Sequence, residues 1–157
     1  MARVRWVFLA YRLPRDPSGP RVALWRKLRR LGAVQVLDGL VALPLDARTK
    51  EQLEWLAEEV GEAGGDCSIW LAEAAMAAEE RALAERMAAA IAEEYRSLLN
   101  EARAATTEPT AQRRRVLRRL RRELRSIRSR DFFPPPEAEQ AGQAMDALAA
   151  GLEAVAS

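Results

Sequence analysis

The sequence predicts an α+β protein: four strands and two helices in the order β-α-β-β-α-β, then a run of helices. Three observations carry this. Short runs rich in branched and aromatic residues occupy the first seventy or so positions and are separated by Gly, Pro and Asp. An Asp-Gly pair stands between two such runs, at Asp38-Gly39. Beyond Trp70 the composition shifts to alanine, with fourteen between Asp66 and Glu108, and apolar residues recur at three- and four-residue spacing.

Residues 4–11 (VRWVFLAY) read as a buried strand. Residues 13–20 hold three prolines and form a loop. A helix follows over 18–31, with Val22, Leu24 or Trp25, Leu28 and Leu31 on its apolar side. Gly32 ends it, because a residue without Cβ enters positive φ at little cost. Residues 33–37 and 40–44 are strands joined at Asp38-Gly39, since the tight turn needs positive φ. A second helix spans 46–60 with Leu53, Leu56 and Val60 inward, and Gly61, Gly64 and Gly65 stop it. Residues 66–71 form the last strand. This order is that of a ferredoxin-like domain, with a four-stranded antiparallel sheet and two helices on one face.

One long helix is expected over about 72–105, its stripe traced by Met76, Leu83, Met87, Ile91 and Leu98. A turn at 106–110 leads to a helix over about 111–130, striped by Val116, Leu120, Leu124 and Ile127. Pro134-Pro135-Pro136 stops it. A third helix from 137 carries Ala141, Met145, Leu148, Leu152 and Val155. Short connections make neighbouring helices fold back, so an antiparallel helical bundle is expected. The domains are thus 1–72, ferredoxin-like, and 73–157, a bundle of three helices.

Composition excludes several chemistries. The 157 residues contain no histidine and one cysteine, Cys67. No internal disulfide, Cys-rich zinc site or His-based catalysis is available. Paired acids such as Glu58–Glu59 are adjacent on helices and do not face each other. No Gly-rich phosphate loop occurs, because Gly61, Gly64 and Gly65 precede a strand. We expect no catalytic residue, no metal and no cofactor. No apolar run approaches the roughly 20 residues of a membrane span, and no secretory leader is visible, so a cytoplasmic protein with no membrane partner is expected.

The net charge is only +2, yet the charge is segregated. Residues 1–35 hold nine Lys or Arg against Asp16, and residues 109–131 hold ten Arg against Glu123 and Asp131. The stretch between carries six bases against sixteen acids. Two basic blocks suggest a polyanionic partner. In the first, Arg12, Arg15, Arg21, Arg26, Lys27, Arg29 and Arg30 are candidates for phosphate contact, through bidentate guanidinium pairs and counterion release. A solvated helix face is the alternative, but such faces usually mix their signs. In the second block Arg114, Arg115, Arg118 and Arg122 are the candidates. These arginines could equally pair with Glu79, Glu80, Glu85, Glu93, Glu94 and Glu101 of the preceding helix. The four Trp residues are assigned to packing rather than to stacking on single-stranded bases, and Cys67 to a buried inert thiol.

These residues also carry a family likeness. The opening strand with Tyr11 and Pro14, then Arg21-x-x-x-Trp25-Arg26-Lys27-Leu28-x-x-Leu31-Gly32-Ala33, resembles the N-terminal domain of the chromate-resistance regulator family ChrB. Asp38-Gly39-x-Val41-x-Leu43-Pro44, Arg48-Thr49-x-Glu51-Gln52-x-x-Trp55-Leu56 and Gly64-Gly65 continue it. Leu117-x-x-Leu120-x-x-x-Leu124-x-x-Ile127-x-x-x-Asp131-Phe132-Phe133 extends it into the helices. The resemblance implies a DNA-binding repressor whose basic N-terminal part contacts promoter DNA. A second, C-terminal domain of the family is associated with sensing chromate, and this chain stops where that domain would begin. A separate protein carrying that domain is therefore a candidate partner, beside double-stranded promoter DNA and a second copy of the chain. The first part also resembles, more distantly, the small CRISPR-associated nuclease and the central domain of phenylacetic-acid repressors. In that nuclease an Asp after the first-strand aromatic helps hold a metal. Here Arg12 follows Tyr11, and a cation repels a metal, so no enzyme is expected. An interaction module for an acidic protein is the second reading.

Overall fold

Branched and aromatic side chains on alternating positions build the first strand, β1 (Trp6–Arg12), at the centre of a four-stranded antiparallel sheet. The computed structural model describes residues 3–156, with side chains to Ala154. The chain forms β1, α1 (Gly19–Leu31), β2 (Val34–Leu37), β3 (Leu40–Pro44), α2 (Ala47–Glu62), β4 (Asp66–Ala72), α3 (Ala77–Ala105), α4 (Thr110–Ser129) and α5 (Pro136–Ala156). The sheet order is β2-β3-β1-β4. Leu9 sits opposite Val41 on one side and Ile69 on the other, and Arg12 lies opposite Asp66.

The chain divides into two compact units, residues 1–87 and 88–157. In the first, β1 and β3 send Val7, Leu9, Val41 and Leu43 to one face, where α2 packs on β1 and β4 with α1 beside it. Leu24, Leu28, Leu53, Leu56 and Val60 complete this core. A capping box starts α2: Asp46 accepts from the Thr49 N–H at 2.7 Å, and the Thr49 hydroxyl accepts from the Asp46 N–H at 2.9 Å. That hydroxyl also donates to the Pro44 carbonyl at 2.6 Å, which satisfies a fully buried polar group. On the second face Trp6, Val34 and Ala42 are buried. The first turns of α3 are anchored on this unit: the Glu80 carboxylate accepts from the Val4 N–H at 2.6 Å, and Arg86 donates to the Gln35 carbonyl.

In the second unit the rest of α3 shares one apolar core with α4 and α5. Tyr95, Leu98, Leu120, Leu124, Met145 and Leu148 lie in it. The stripes expected on α4 and α5 face this core; Val155 lies outside the residues whose side chains are described. The Tyr95 hydroxyl donates to Asp131 Oδ2 at 2.7 Å. Burial first, and this bond to Asp131 second, hold the Tyr95 phenol well above its ordinary value of 10.0.

Several expectations need correction. The long helix does not begin at 72. Ala72 is still paired with Trp6 in the sheet, and the helix starts five residues later. There the Met76 carbonyl takes the Glu79 and Glu80 N–H groups, while the Glu79 carboxylate accepts from the Met76 N–H at 3.3 Å. Met76 is therefore exposed at the helix start and belongs to no buried stripe. Trp6 alone of the four tryptophans is buried; Trp25, Trp55 and Trp70 are 52%, 65% and 61% exposed. On α1 the core takes the i, i+4 pair Leu24 and Leu28, which turns Val22 and Trp25 outward. Cys67 is exposed on edge strand β4, its thiol 3.3 Å from the Ala57 carbonyl.

Candidate nucleic-acid interface

The end of β1 is hemmed in on both sides. At the β2–β3 turn Gly39 has φ +74°, and a Cβ there would stand 2.5 Å from the Tyr11 carbonyl oxygen. On the other side a Cβ on Gly65 would stand 2.4 Å from the Arg12 carbonyl oxygen. Contacts under 3 Å cannot be accommodated without backbone movement, so both turns need glycine. Tyr11 is held further by its N–H, which donates to the Gly39 carbonyl at 2.8 Å.

This fixed strand end forms one wall of an open groove of about 780 Å³. Arg12 comes from the strand, Arg15 from the loop, and Arg21 and Trp25 from successive turns of α1. Gln35 and Asp38 of the β2–β3 region also line the groove. Tyr11 lies between these charges: burial raises its phenol, Arg21 pulls it down and Asp38 pushes it up. The structure thus brings Arg12, Arg15 and Arg21 to one place. Arg12 pairs with Asp66 at 2.8 Å, but both side chains are largely exposed, so the pair is worth only about 0–1 kcal/mol.

The other first-block residues lie further along α1. Arg26, Arg29 and Arg30 are exposed, and the Arg29 guanidinium stands 4.8 Å over the Trp25 ring. Lys27 turns to the opposite side and binds Glu59 of α2 at 2.7 Å. Its charge is engaged within the fold. Among the described residues no ion pair engages Arg15, Arg21, Arg26, Arg29 or Arg30.

On α4 the apolar stripe Leu117, Leu120, Leu124 and Ile127 faces inward, and Arg114, Arg115, Arg118 and Arg122 are exposed. Pairing with the acids of α3 is sparse. Arg119 binds Glu101 at 3.2 Å and its own-helix neighbour Glu123 at 2.9 Å, and these bonds hold its proton more tightly. Arg130 pairs with Glu94. Of the other acids, Glu93 bonds Arg96 on its own helix, and Glu80 pairs with Arg3 in the first unit. Arg114, Arg115, Arg118 and Arg122 are left without an acid among the described residues. Their spacing along the helix holds several guanidiniums within a Debye length of one another, which concentrates positive potential.

The sequence reading missed Trp25 as a groove residue. The signal available was the choice between Leu24 and Trp25 at one stripe position. Leu28 and Leu31 together favour Leu24, because positions 24, 28 and 31 fall in one narrow arc of a helix and 25 lies off its edge.

Comparison with known proteins places these elements. The family model described as protein ChrB, N-terminal, matches residues 21–110, more than half of the chain. The chain belongs to the ChrB family. The curated protein ChrB of Cupriavidus metallidurans is 33% identical over 135 residues, which cover 82% of this chain and 40% of that protein. The chain thus spans well under half the length of this ChrB relative. No solved structure matches. The ChrB match takes in α1 with its cations, the β2–β3 turn with Gly39, and α3; it ends at Thr110, where α4 begins. Among the described residues no helix is long and apolar enough to cross a membrane, and no cluster of three or more His, Cys, Asp or Glu is placed to hold a metal.

Proposed function

We propose that this chain is a DNA-binding module of a chromate-resistance transcriptional regulator, docking on phosphates through its two arginine blocks. One observation carries the reading. Arg15, Arg21, Arg26, Arg29 and Arg30 gather on and beside one short helix, exposed and without internal acid partners. A surface built for solvent alone would pair or intersperse these charges. Each phosphate neutralised releases condensed counterions, so affinity arises without base-specific contacts. The free arginines of α4 add a second set of donors.

The strand order β2-β3-β1-β4 and the β-α-β-β-α-β succession support a ferredoxin-like reading of the first part. In this proposal the helices after it form the bundle, the module acts in the cytoplasm without enzymatic activity, and it works as a homodimer. The open edges at β2 and β4 offer the pairing surface. A protein carrying the family's C-terminal domain would supply the sensing part.

The test is binding to promoter fragments under increasing salt. Binding weakens steeply with salt, and replacing Arg26, Lys27, Arg29 and Arg30 together by Ala abolishes it. Undiminished binding by that variant would refute the assignment. Salt-sensitive capture of an acidic protein with no affinity for DNA would favour the interaction-module reading instead.

A further inference from the structure

We propose that the groove at the end of β1 takes one unstacked nucleotide of a single-stranded segment, its phosphates on Arg12, Arg15 and Arg21 and its base against Trp25. The inference rests on the reading of the chain as a nucleic-acid binder and names the form of nucleic acid that this site accepts.

Size and shape come first. About 780 Å³ falls within the range of sites that enclose small ligands, and it suits a nucleotide with its flanking phosphates. A duplex cannot enter such a groove; it can only lie across it.

Chemistry comes second. The lining carries both signs: the guanidiniums of Arg12, Arg15 and Arg21, and with them the Asp38 carboxylate and the Gln35 amide. A phosphate goes to the arginines and is repelled by the Asp38 carboxylate. What reaches Asp38 and Gln35 must be uncharged and carry hydrogen-bonding edges. Gln35 Nε2 already donates to Asp38 Oδ1 at 3.2 Å, which leaves the Gln35 amide oxygen to accept and further lone pairs on Asp38. A base edge offers the donors these acceptors need.

The exposed indole decides between strand forms. Trp25 lines the groove and is half exposed, while Arg29 stands over its ring without lining the groove. The guanidinium covers part of the indole, and about half of the side chain still stays exposed. An indole offered beside phosphate-binding groups stacks on a base, and a base can present its face only when it is out of the duplex stack. Val22, also exposed at the groove, extends the apolar surface beneath that base.

The experiment uses the full chain at low salt and fluorescence anisotropy. The probes are a labelled thymidine oligonucleotide of about ten residues and a labelled duplex. Trp25→Ala weakens oligonucleotide binding by roughly 5- to 150-fold, as loss of one base–aromatic stack does. Trp25→Phe, which keeps a stacking ring, retains most of the affinity. Duplex binding by both variants stays near wild type, which also shows that they are folded. If Trp25→Ala binds the oligonucleotide like wild type, or loses both probes equally, the groove assignment is wrong and the DNA-binding reading stands. If the wild type binds the duplex and not the oligonucleotide, the same conclusion holds. If it binds neither, both readings fall together.

Discussion

Replacing Gly39 by Ala tests how the groove wall is held. At φ +74° an L-residue sits in the left-handed region, which costs about 1–2 kcal/mol without further contacts. The new Cβ would lie 2.5 Å from the Tyr11 carbonyl oxygen, so the two backbones must part by roughly half an ångström. Tyr11 cannot yield easily, because β1 is paired with β3 on one side and β4 on the other. The separation stretches the 2.8 Å bond from the Tyr11 N–H to the Gly39 carbonyl, worth about 1 kcal/mol. The total loss is about 2–4 kcal/mol. All four tryptophans lie in the first unit, so a urea titration followed by tryptophan emission reports on that unit. With a slope of roughly 1–2 kcal/mol per molar, the midpoint falls by about 1–4 M. Gly61→Ala is the counter-experiment: Gly61 is helical with open space around its Cβ position, and the substitution should gain about 0.5–1 kcal/mol. A Gly39→Ala protein with an unchanged midpoint would show that the strand end is not clamped as described.

The remaining predictions concern charge, the second unit and the thiol. Each substitution to Ala among Arg114, Arg115, Arg118 and Arg122 that removes a phosphate contact should lower the slope of log affinity against log salt by about 0.9, while Arg119→Ala, already bonded to Glu101 and Glu123, leaves the slope nearly unchanged. Tyr95→Phe should destabilise the second unit by about 1–3 kcal/mol in chemical denaturation followed by circular dichroism, since it strips Asp131 Oδ2 of its donor beside a buried Oδ1 that has no partner. The folded-state value of Tyr95 is raised, so its contribution is full below the ordinary value of 10.0. It declines as pH climbs above that point, where the unfolded chain ionises first; near-UV titration of tyrosinate against denaturation pH follows both. Cys67 should react with an aromatic disulfide reagent in the native protein without denaturant, and protection until unfolding would contradict its exposed position.

Much of the fold was legible because its signals are local. Asp38-Gly39, the Gly32 cap and the run beginning at Asp46 each specify backbone geometry through neighbouring residues. The start of α3 was not legible. Residues 72–76 (AEAAM) have helical propensity, and distant contacts hold them out of the helix: Ala72 pairs with Trp6, sixty-six positions away, and the Arg3 guanidinium donates to the Ala74 carbonyl. The tryptophans failed for a related reason. Size and apolar character predict burial on average, but exposure follows which side of an element meets the core, and edge strand β4 and the outer faces of α1 and α2 have no cover there. The cationic site divides the same way. Its arginines could be listed from charge density, yet their convergence with Trp25 on one groove comes from strand register and helix phase, which the sequence encodes only jointly.

The two glycine turns flanking β1 bear on what can change in this molecule. The root of the Arg12 side chain inherits the rigidity of a central strand, whereas Arg15 hangs from a proline-rich segment outside any ladder. Insertions between Leu13 and Ser18 would reposition one cation and leave the other where it stands. Ligand preference could therefore drift by altering the length of that connection, with the sheet as an unchanging reference point.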